Sequence, residues 1–164
     1  MAIACFHRVS TSQYREGLAA HHHEVAAALS LEELPLPRRA TGHSAGDDFF
    51  SPVEAVILPG ETVTVPTGLR VEMAPGWVLV IVPRSSLGIR HHLFLPNTMG
   101  VIDGDYFQAD NEGHLFVPIR NDGHAPFHLE KQMRFCQGIF LPYGVAEEEA
   151  PLEERSGGFG STGK

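Results

Sequence analysis

"ETVTVPTGLRVEMAPGWVLVIV", residues 61–82, decides the fold. Three short runs, 61–65, 69–73 and 77–82, are rich in β-branched and aromatic residues, and "TG" at 67–68 and "PG" at 75–76 separate them. Such residues suit a pleated, half-buried surface, and Gly supplies the positive φ that tight turns require. The rhythm continues outward. A "PG" at 59–60 precedes the stretch, and "HLFVPIR" (114–120), "NDG" (121–123) and "RFCQGIF" (134–140) follow it. Many short strands at this spacing predict an all-β jelly roll or β-barrel from about residue 45 to 142.

On either side the pattern changes. Ser10, Thr11 and Ser12 are good helix N-caps, and "LAAHHHEVAAALSLEEL" (18–34) is rich in strong helix formers. This predicts a helix over 10–34, stopped by Pro35 and Pro37. Residues 146–164 are acidic and then Gly-rich, with too little apolar content to pack, which predicts a mobile tail. The chain therefore divides into an N-terminal strand/helix extension (1–37), a β-domain (38–145) and a flexible C-terminal arm (146–164). There is no internal repeat of 20–50 residues.

A length of 164 residues, 43% of them hydrophobic, is enough for one sizeable core. The net charge of -8 lacks the basic footprint that nucleic acid or an acidic membrane demands. A few converging Arg side chains can still make a local anion site. The sequence has no signal peptide and no apolar run of 18 residues, so it reads as cytoplasmic, with Cys5 and Cys136 as reduced thiols. Cys136, inside an apolar run, reads as a buried small hydrophobe. His21, His22 and His23 point in different directions from a helix, so they read as a solvated surface. His91 and His92 would face opposite sides of a strand, and no Cys/His spacing resembles a zinc site.

Four places combine polar residues with turn-like surroundings. "SAGDDFFS" (44–51) is the first, and "PRSSLG" (83–88), directly after "WVLVIV", is the second. There Arg84 can grip an oxyanion in a fork, while Ser85 and Ser86 add donors at a possible helix start; a plain capped turn would read the same. In "NTMGVIDGDYF" (97–107), Asp103 is either an Asx-turn residue or a functional carboxylate, and Tyr106 is either core or a wall for a ring ligand. The fourth is the tail "ERSGGFGSTGK" (154–164), whose end reads as most of a P-loop, G-x-x-x-x-G-K. A P-loop needs a strand before it and a helix after it, and here the chain stops at Lys164. Phe159 is out of place in a plain linker but suits a flap that stacks on a base.

Taken in order, these stretches resemble the five motifs of the trimeric deoxyuridine triphosphatase (dUTPase) family, over about residues 38–164. "AGDDFFS" is similar to the first motif, "PRSSLG" to the second, "GVIDGDY" to the third, "MRFCQ" to the fourth and "RSGGFGSTG" to the fifth. "LPRRATGHSAGDDFFSP" (36–52), with the helical extension before it, resembles the branch of Gram-positive bacteria and their phages. The resemblance implies hydrolysis of dUTP to dUMP and pyrophosphate, Mg²⁺ held by the triphosphate rather than by protein ligands, and a homotrimer with shared active sites. It also implies that a β-hairpin after the third motif holds uracil, largely through backbone groups, that Asn97 matches the uracil-contacting Asn, and that Gly100, Val101 and Ile102 belong to the substrate-binding set. Asp103 matches the carboxylate that orients the attacking water, and Tyr106 the residue under the deoxyribose. Arg84, Ser85, Ser86 and Gln137 match phosphate contacts, and Asp48 a structural or Mg-water-linked carboxylate. Arg155, Phe159, Gly160, Ser161 and Thr162 match a closing arm; Asp103, Arg155 and Gln137 form the implied catalytic set.

The sequence departs from the family pattern in places. After Tyr106, either Gln108 replaces a Gly or about five residues are inserted and Gly113 takes its place; the insertion is preferred, because "GHLFV" then continues a hairpin strand. Gln132 and Met133 stand where turn residues are usual, Asp47 stands where an apolar residue is usual, and "RSGG" is one residue short. A dCTP deaminase of the same fold would rely on a Glu near the base and lack the Gly-rich lid with its Phe. A dUTP sensor would bind without turnover.

Overall fold

The structure is a computed structural model that describes residues 2–147. In chain order its elements are β1 (Ala4–Arg8), α1 (Thr11–Ala20), β2 (Arg38–Arg39), β3 (Gly46–Phe50), β4 (Ala55–Ile57), β5 (Thr62–Pro66), β6 (Leu69–Met73) and β7 (Trp77–Pro83). Then follow α2 (Ser85–His91), β8 (Leu93–Phe94), β9 (Gly100–Ile102), a 3₁₀ turn (Gly104–Gln108), β10 (Phe116–Asn121), β11 (Phe127–Leu129) and β12 (Arg134–Pro142). Every strand pairing is antiparallel. The largest sheet has the order β2-β3-β12-β7-β9; β5-β10-β8, β1-β6 and β4-β11 form the others.

This is the all-β architecture that the strand rhythm predicts. Gly60, Gly68 and Gly76, the glycines of the turn signals, all have positive φ, of 83°, 70° and 82°. Alternation along the strands sends Phe49, Leu69, Leu79, Ile81 and Val117 inward, and each is at most 1% exposed. At the end of β10 the "NDG" signal is an Asx turn: Gly123 N–H donates to Asn121 Oδ1 at 2.9 Å. Asn121 is fully buried and satisfied, donating from Nδ2 to the carbonyls of Ile57 and Ala125.

The predicted helix over 10–34 is shorter, and the reason is tertiary. α1 starts at the expected cap, where Ser10 Oγ accepts from Gln13 N–H at 3.1 Å, and it ends at Ala20. A Schellman-type cap closes it: His23 N–H donates to Leu18 O, His22 N–H to Ala19 O, and His22 takes φ 61°. Beyond it the Ala-rich segment makes only isolated turns, and several of its backbone groups bond to β1 and to the β-domain instead of to a helix. Leu29 N–H donates to Pro52 O, and Arg8 donates to the carbonyls of Leu31 and Leu34. His21–His23 therefore lie past the helix end, with His23 Nε2 donating to Thr64 O at 2.7 Å. His91 and His92 are likewise not on a strand. His91 ends α2, and His92 is its left-handed C-cap.

Helix α1 docks through Gly17 on the buried His114. A Cβ on Gly17 would stand 2.7 Å from His114 Cε1 and 3.1 Å from Phe116 Cε1, so only Gly permits the approach despite its cost in a helix. His114 Nε2 accepts from Gly68 N–H at 2.9 Å, which leaves the proton on Nδ1 with no hydrogen-bond partner. Burial pulls its pKa down to about 4; the Glu112 carboxylate opposes that shift and His21 adds to it. The folded pKa lies below the ordinary value of 6.5, so this contribution to stability is complete above pH 6.5 and is lost as pH falls toward 4. Between pH 7.5 and 4.5 the wild type should lose about 2–3 kcal/mol more than His114→Gln in urea unfolding at fixed protein concentration. Parallel pH profiles would show that His114 titrates normally.

Candidate active site

The densest polar cluster sits where three of the sequence motifs meet. Asp48, on β3, is 5% exposed. Its Oδ1 lies 2.9 Å from Arg84 Nε, and its Oδ2 lies 3.2 Å from Arg134 Nη1. Arg84 follows β7 and occupies the N-cap position of α2, so Ser85 and Ser86 form the first turn of that helix beside it. A buried carboxylate is costly unless paired, and here each oxygen has its own guanidinium. Two cations against one anion leave the cluster with surplus positive charge in a chain of net charge -8.

Strand β12 supplies the centre of the cluster. Gln137 lies between Asp48 of β3 and Val82 of β7 in register, so Gln137 and Asp48 share a face. Residues 134 and 137 would face opposite sides of a regular strand. The register of β12 shifts between Arg134 and Cys136, and Phe135 and Cys136 are buried in succession. This bulge resets the alternation, so Arg134 reaches the same carboxylate that Gln137 flanks. Gly46 completes the arrangement: a Cβ there would stand 2.5 Å from Gln137 Oε1, so the carboxamide lies across the Gly46 backbone. The roles of Gly46 and the Arg134–Asp48 pair were not read from the sequence. "AGDD" and "MRFCQ" hold these residues, but their meeting depends on long-range register. Cys136 is fully buried, as expected, and burial and then the Asp48 carboxylate push its thiol pKa up. Burial also raises the carboxyl pKa of Asp47; Arg39 pulls it down and Asp48 pushes it up.

The third motif is elsewhere. β9 pairs with β7, Gly100 opposite Ile81, Val101 opposite Val80 and Ile102 opposite Leu79. The next residue, Asp103, is therefore level with Val78, four residues along β7 from the row of Gln137 and two strands across. At about 3.3 Å per residue and about 4.8 Å per strand, that is roughly 16 Å within one chain. The structure thus gathers Asp48, Arg84, Ser85, Ser86 and Gln137, and leaves Asp103 apart from them. Asn97 and Asp103 are exposed, and Thr98, between Asn97 and Gly100, has φ 71°, uncommon for a β-branched residue.

The expected hairpin after "GVIDGDY" is not there. Asp103 instead caps a 3₁₀ turn, Gly104–Gln108, and the chain makes further turns until β10 begins at Phe116. β10 then pairs with β5 and β8, not with β9. Tyr106 lies in the 3₁₀ turn and is 5% exposed. Its hydroxyl donates to His114 O at 2.8 Å and accepts from Asn111 Nδ2 at 2.8 Å. Arg155, Phe159, Gly160, Ser161 and Thr162 lie outside the described residues.

The sequence model of the dUTPase family matches residues 32–163, about four fifths of the chain. A deoxyuridine 5'-triphosphate nucleotidohydrolase of Lactococcus lactis is 43% identical over 143 residues, 85% of this chain and 95% of that protein. The crystal structure of dUTPase from Streptococcus mutans superposes with a TM-score of 0.69 at 34% identity, covering 87% of this chain and 98% of that one. A dUTPase from phage phi11 of S. aureus shares the fold at 17% identity, with a TM-score of 0.67 over 93% of this chain and 98% of that one. This chain belongs to the dUTPase family.

Removing the central carboxylate should expose its structural role. Asp48→Ala leaves two guanidiniums without their acceptor; because both are partly exposed, the loss should be about 2 kcal/mol in urea unfolding at pH 7 and fixed concentration. In an Arg134→Ala background the same change should cost measurably less. Strict additivity would mean that the pair carries no coupling.

Proposed function

We propose that this chain hydrolyses dUTP to dUMP and pyrophosphate by water attack on the α-phosphate, in a homotrimer whose active sites are shared between chains. One observation carries the shared-site reading: by register, Gln137 of the Asp48, Arg84 and Gln137 cluster lies roughly 16 Å from Asp103 within a chain, and Asp48 and Arg84 lie farther still. A single copy therefore offers a phosphate end and a base-and-sugar end that do not meet. Two copies can bring one end of each together.

Each group then has a physical task. Substrate arrives with up to four negative charges, and the reaction develops more on the bridging and leaving oxygens, so positioning and electrostatics dominate. Arg84, with Ser85 and Ser86, grips the phosphates, and Asp48 holds the Arg84 fork at a fixed angle. Gln137 donates from its carboxamide beside them. Asp103 accepts a proton from the attacking water or orients it, a role typically worth about 10²–10⁴ in rate. Asn97, Gly100, Val101 and Ile102 meet uracil, and Tyr106 backs the deoxyribose. In this reading residues 146–164 form the arm. Arg155 brings charge to the terminal phosphate, Phe159 stacks on uracil, and Gly160, Ser161 and Thr162 supply donors close to the phosphates.

Among the described residues no group of three or more His, Cys, Asp and Glu side chains could hold a metal. The donor set at Arg84, Ser85 and Ser86 suits phosphate oxygens, and these residues would hold a Mg²⁺–triphosphate complex by them. Bound there, Mg²⁺ would supply neutralisation of phosphate charge and alignment of the phosphates. The phage phi11 dUTPase structure is described as revealing the coordination of a structural Mg(II) ion. The reaction keeps uracil out of DNA and supplies dUMP for dTTP synthesis, which fits a cytoplasmic site of action. No helix among the described residues is long and apolar enough to cross a membrane.

The test offers the protein Mg²⁺ with dUTP, dCTP, dTTP or UTP and measures pyrophosphate and ammonia. Pyrophosphate should come from dUTP far faster than from the others. Asp103→Asn should lower kcat by about 10²–10⁴ with KM little changed. Ammonia from dCTP would instead mark a deaminase, binding of dUTP without turnover would mark a sensor, and a change in KM alone would remove Asp103 from the chemistry.

A further inference from the structure

The segment that departs from the family pattern, "FQADNEG" (107–113), is built around Tyr106 and tied down on both sides. Its turns are internally bonded: Ala109 N–H donates to Tyr106 O, Glu112 N–H to Ala109 O and His114 N–H to Asn111 O. Glu112 and Gly113 take positive φ, of 59° and 69°. A Cβ on Gly113 would stand 2.6 Å from Tyr106 O and 2.9 Å from Phe107 Cα, so the chain folds directly back on Tyr106. Glu112 anchors one flank: its carboxylate accepts from Ser10 N–H at 2.7 Å and from Ser10 Oγ at 2.6 Å, at the cap of α1. Arg70 anchors the other, donating from Nη2 to Phe107 O at 2.6 Å and lying 3.6 Å over the Phe107 ring.

Asn111 is the one side chain of this segment that grips the Tyr106 hydroxyl. It donates from Nδ2 to Tyr106 Oη at 2.8 Å, while its own Oδ1 accepts from Gly113 N–H at 3.2 Å. Both ends of the carboxamide are engaged, so the amide cannot turn without losing a bond. Tyr106 Oη in turn donates to His114 O. The phenol is thus held at its far end by two partners, in a residue that is itself buried.

We propose that Asn111 is a specificity-determining positioning residue: it fixes the Tyr106 ring as a rigid wall and thereby sets the preference for a 2′-deoxyribose over a ribose. The inference rests on the reading that places Tyr106 under the sugar. A site that rejects a molecule only because it carries one extra hydroxyl discriminates weakly, by about 10²-fold when its wall is apolar, and a wall that yields discriminates less. Side chains must be held to about 0.5 Å for such a site to work. Residues 107–113 supply that support through Asn111.

The experiment measures kcat/KM for dUTP and for UTP in the full chain with Mg²⁺. Asn111→Leu keeps the branched outline of the side chain and removes both its donor and its acceptor. It should lower the dUTP:UTP ratio about tenfold, mainly by raising UTP turnover, with dUTP turnover changed less than threefold. Tyr106→Phe releases the ring from its other end; it should give a similar loss of ratio, and the double variant should add little to either. If Asn111→Leu does not fold, Tyr106→Phe with a lowered ratio still supports the inference, and Tyr106→Phe with a wild-type ratio overturns it. A folded Asn111→Leu with a wild-type ratio also overturns it. Tyr106→Ala separates the two levels. A ratio that Tyr106→Ala lowers and Asn111→Leu does not touch defeats the role of Asn111 alone; a ratio that Tyr106→Ala leaves unchanged defeats the placement of Tyr106 beneath the sugar.

Discussion

The buried carboxylate of Asp48, shared by Arg84 and Arg134, is the interaction on which the rest depends. It joins β3, the end of β7 and the start of β12 at one point. An unpaired carboxylate so deeply buried would be strongly destabilising, so the three segments must meet for the fold to tolerate it. On the proposed reading the same pairing prepares function. It holds one edge of Arg84 and leaves a net positive spot beside Ser85, Ser86 and Gln137. A chain of net charge -8 can attract a polyanion in this way, through local rather than overall charge.

The geometry of the large sheet then imposes a division of labour. β12 carries Gln137 between Asp48 and Val82, whereas β9, on the far side of β7, carries the third motif toward Val78 and away from the cluster. No rotamer change brings two parts of a rigid sheet together across such a distance. On the proposed reading, symmetry does so: a closed threefold arrangement places the phosphate end of one copy against the base-and-sugar end of the next. The cost of ordering is then met once, at assembly.

Much of the fold is legible in the sequence because its signals are local. The turn glycines Gly60, Gly68 and Gly76 announce positive φ, and the runs between them announce strands. The helix over 10–34 misleads for the opposite reason. Propensity is a weak local preference, and the backbone groups of Leu29, Leu31 and Leu34 find partners on Pro52 and Arg8 instead. His91 and His92 mislead because a short helix follows the longest apolar strand of the opening stretch. Asp48, Arg84 and Gln137 are legible as polar residues within motifs, but their meeting depends on long-range strand register, and Arg134 joins them through a bulge near Phe135 that no local pattern reveals. Asn111 carries no signal at all: its segment has neither periodicity nor a motif, and only the folded turn brings it to Tyr106.

The shared site is tested most directly by mixing two variants that damage opposite ends. Asp103→Asn and Arg84→Ala are each expected to be nearly inactive. Unfolded together in equal amounts and refolded into random trimers, about one quarter of the sites should combine an intact Asp103 from one copy with an intact Arg84 from another. Steady-state dUTP hydrolysis should then rise far above that of either variant refolded alone, toward about one quarter of the wild-type rate. A mixture no more active than its two parents would mean that one chain supplies both ends of its own site, and the division of the site between copies would be wrong.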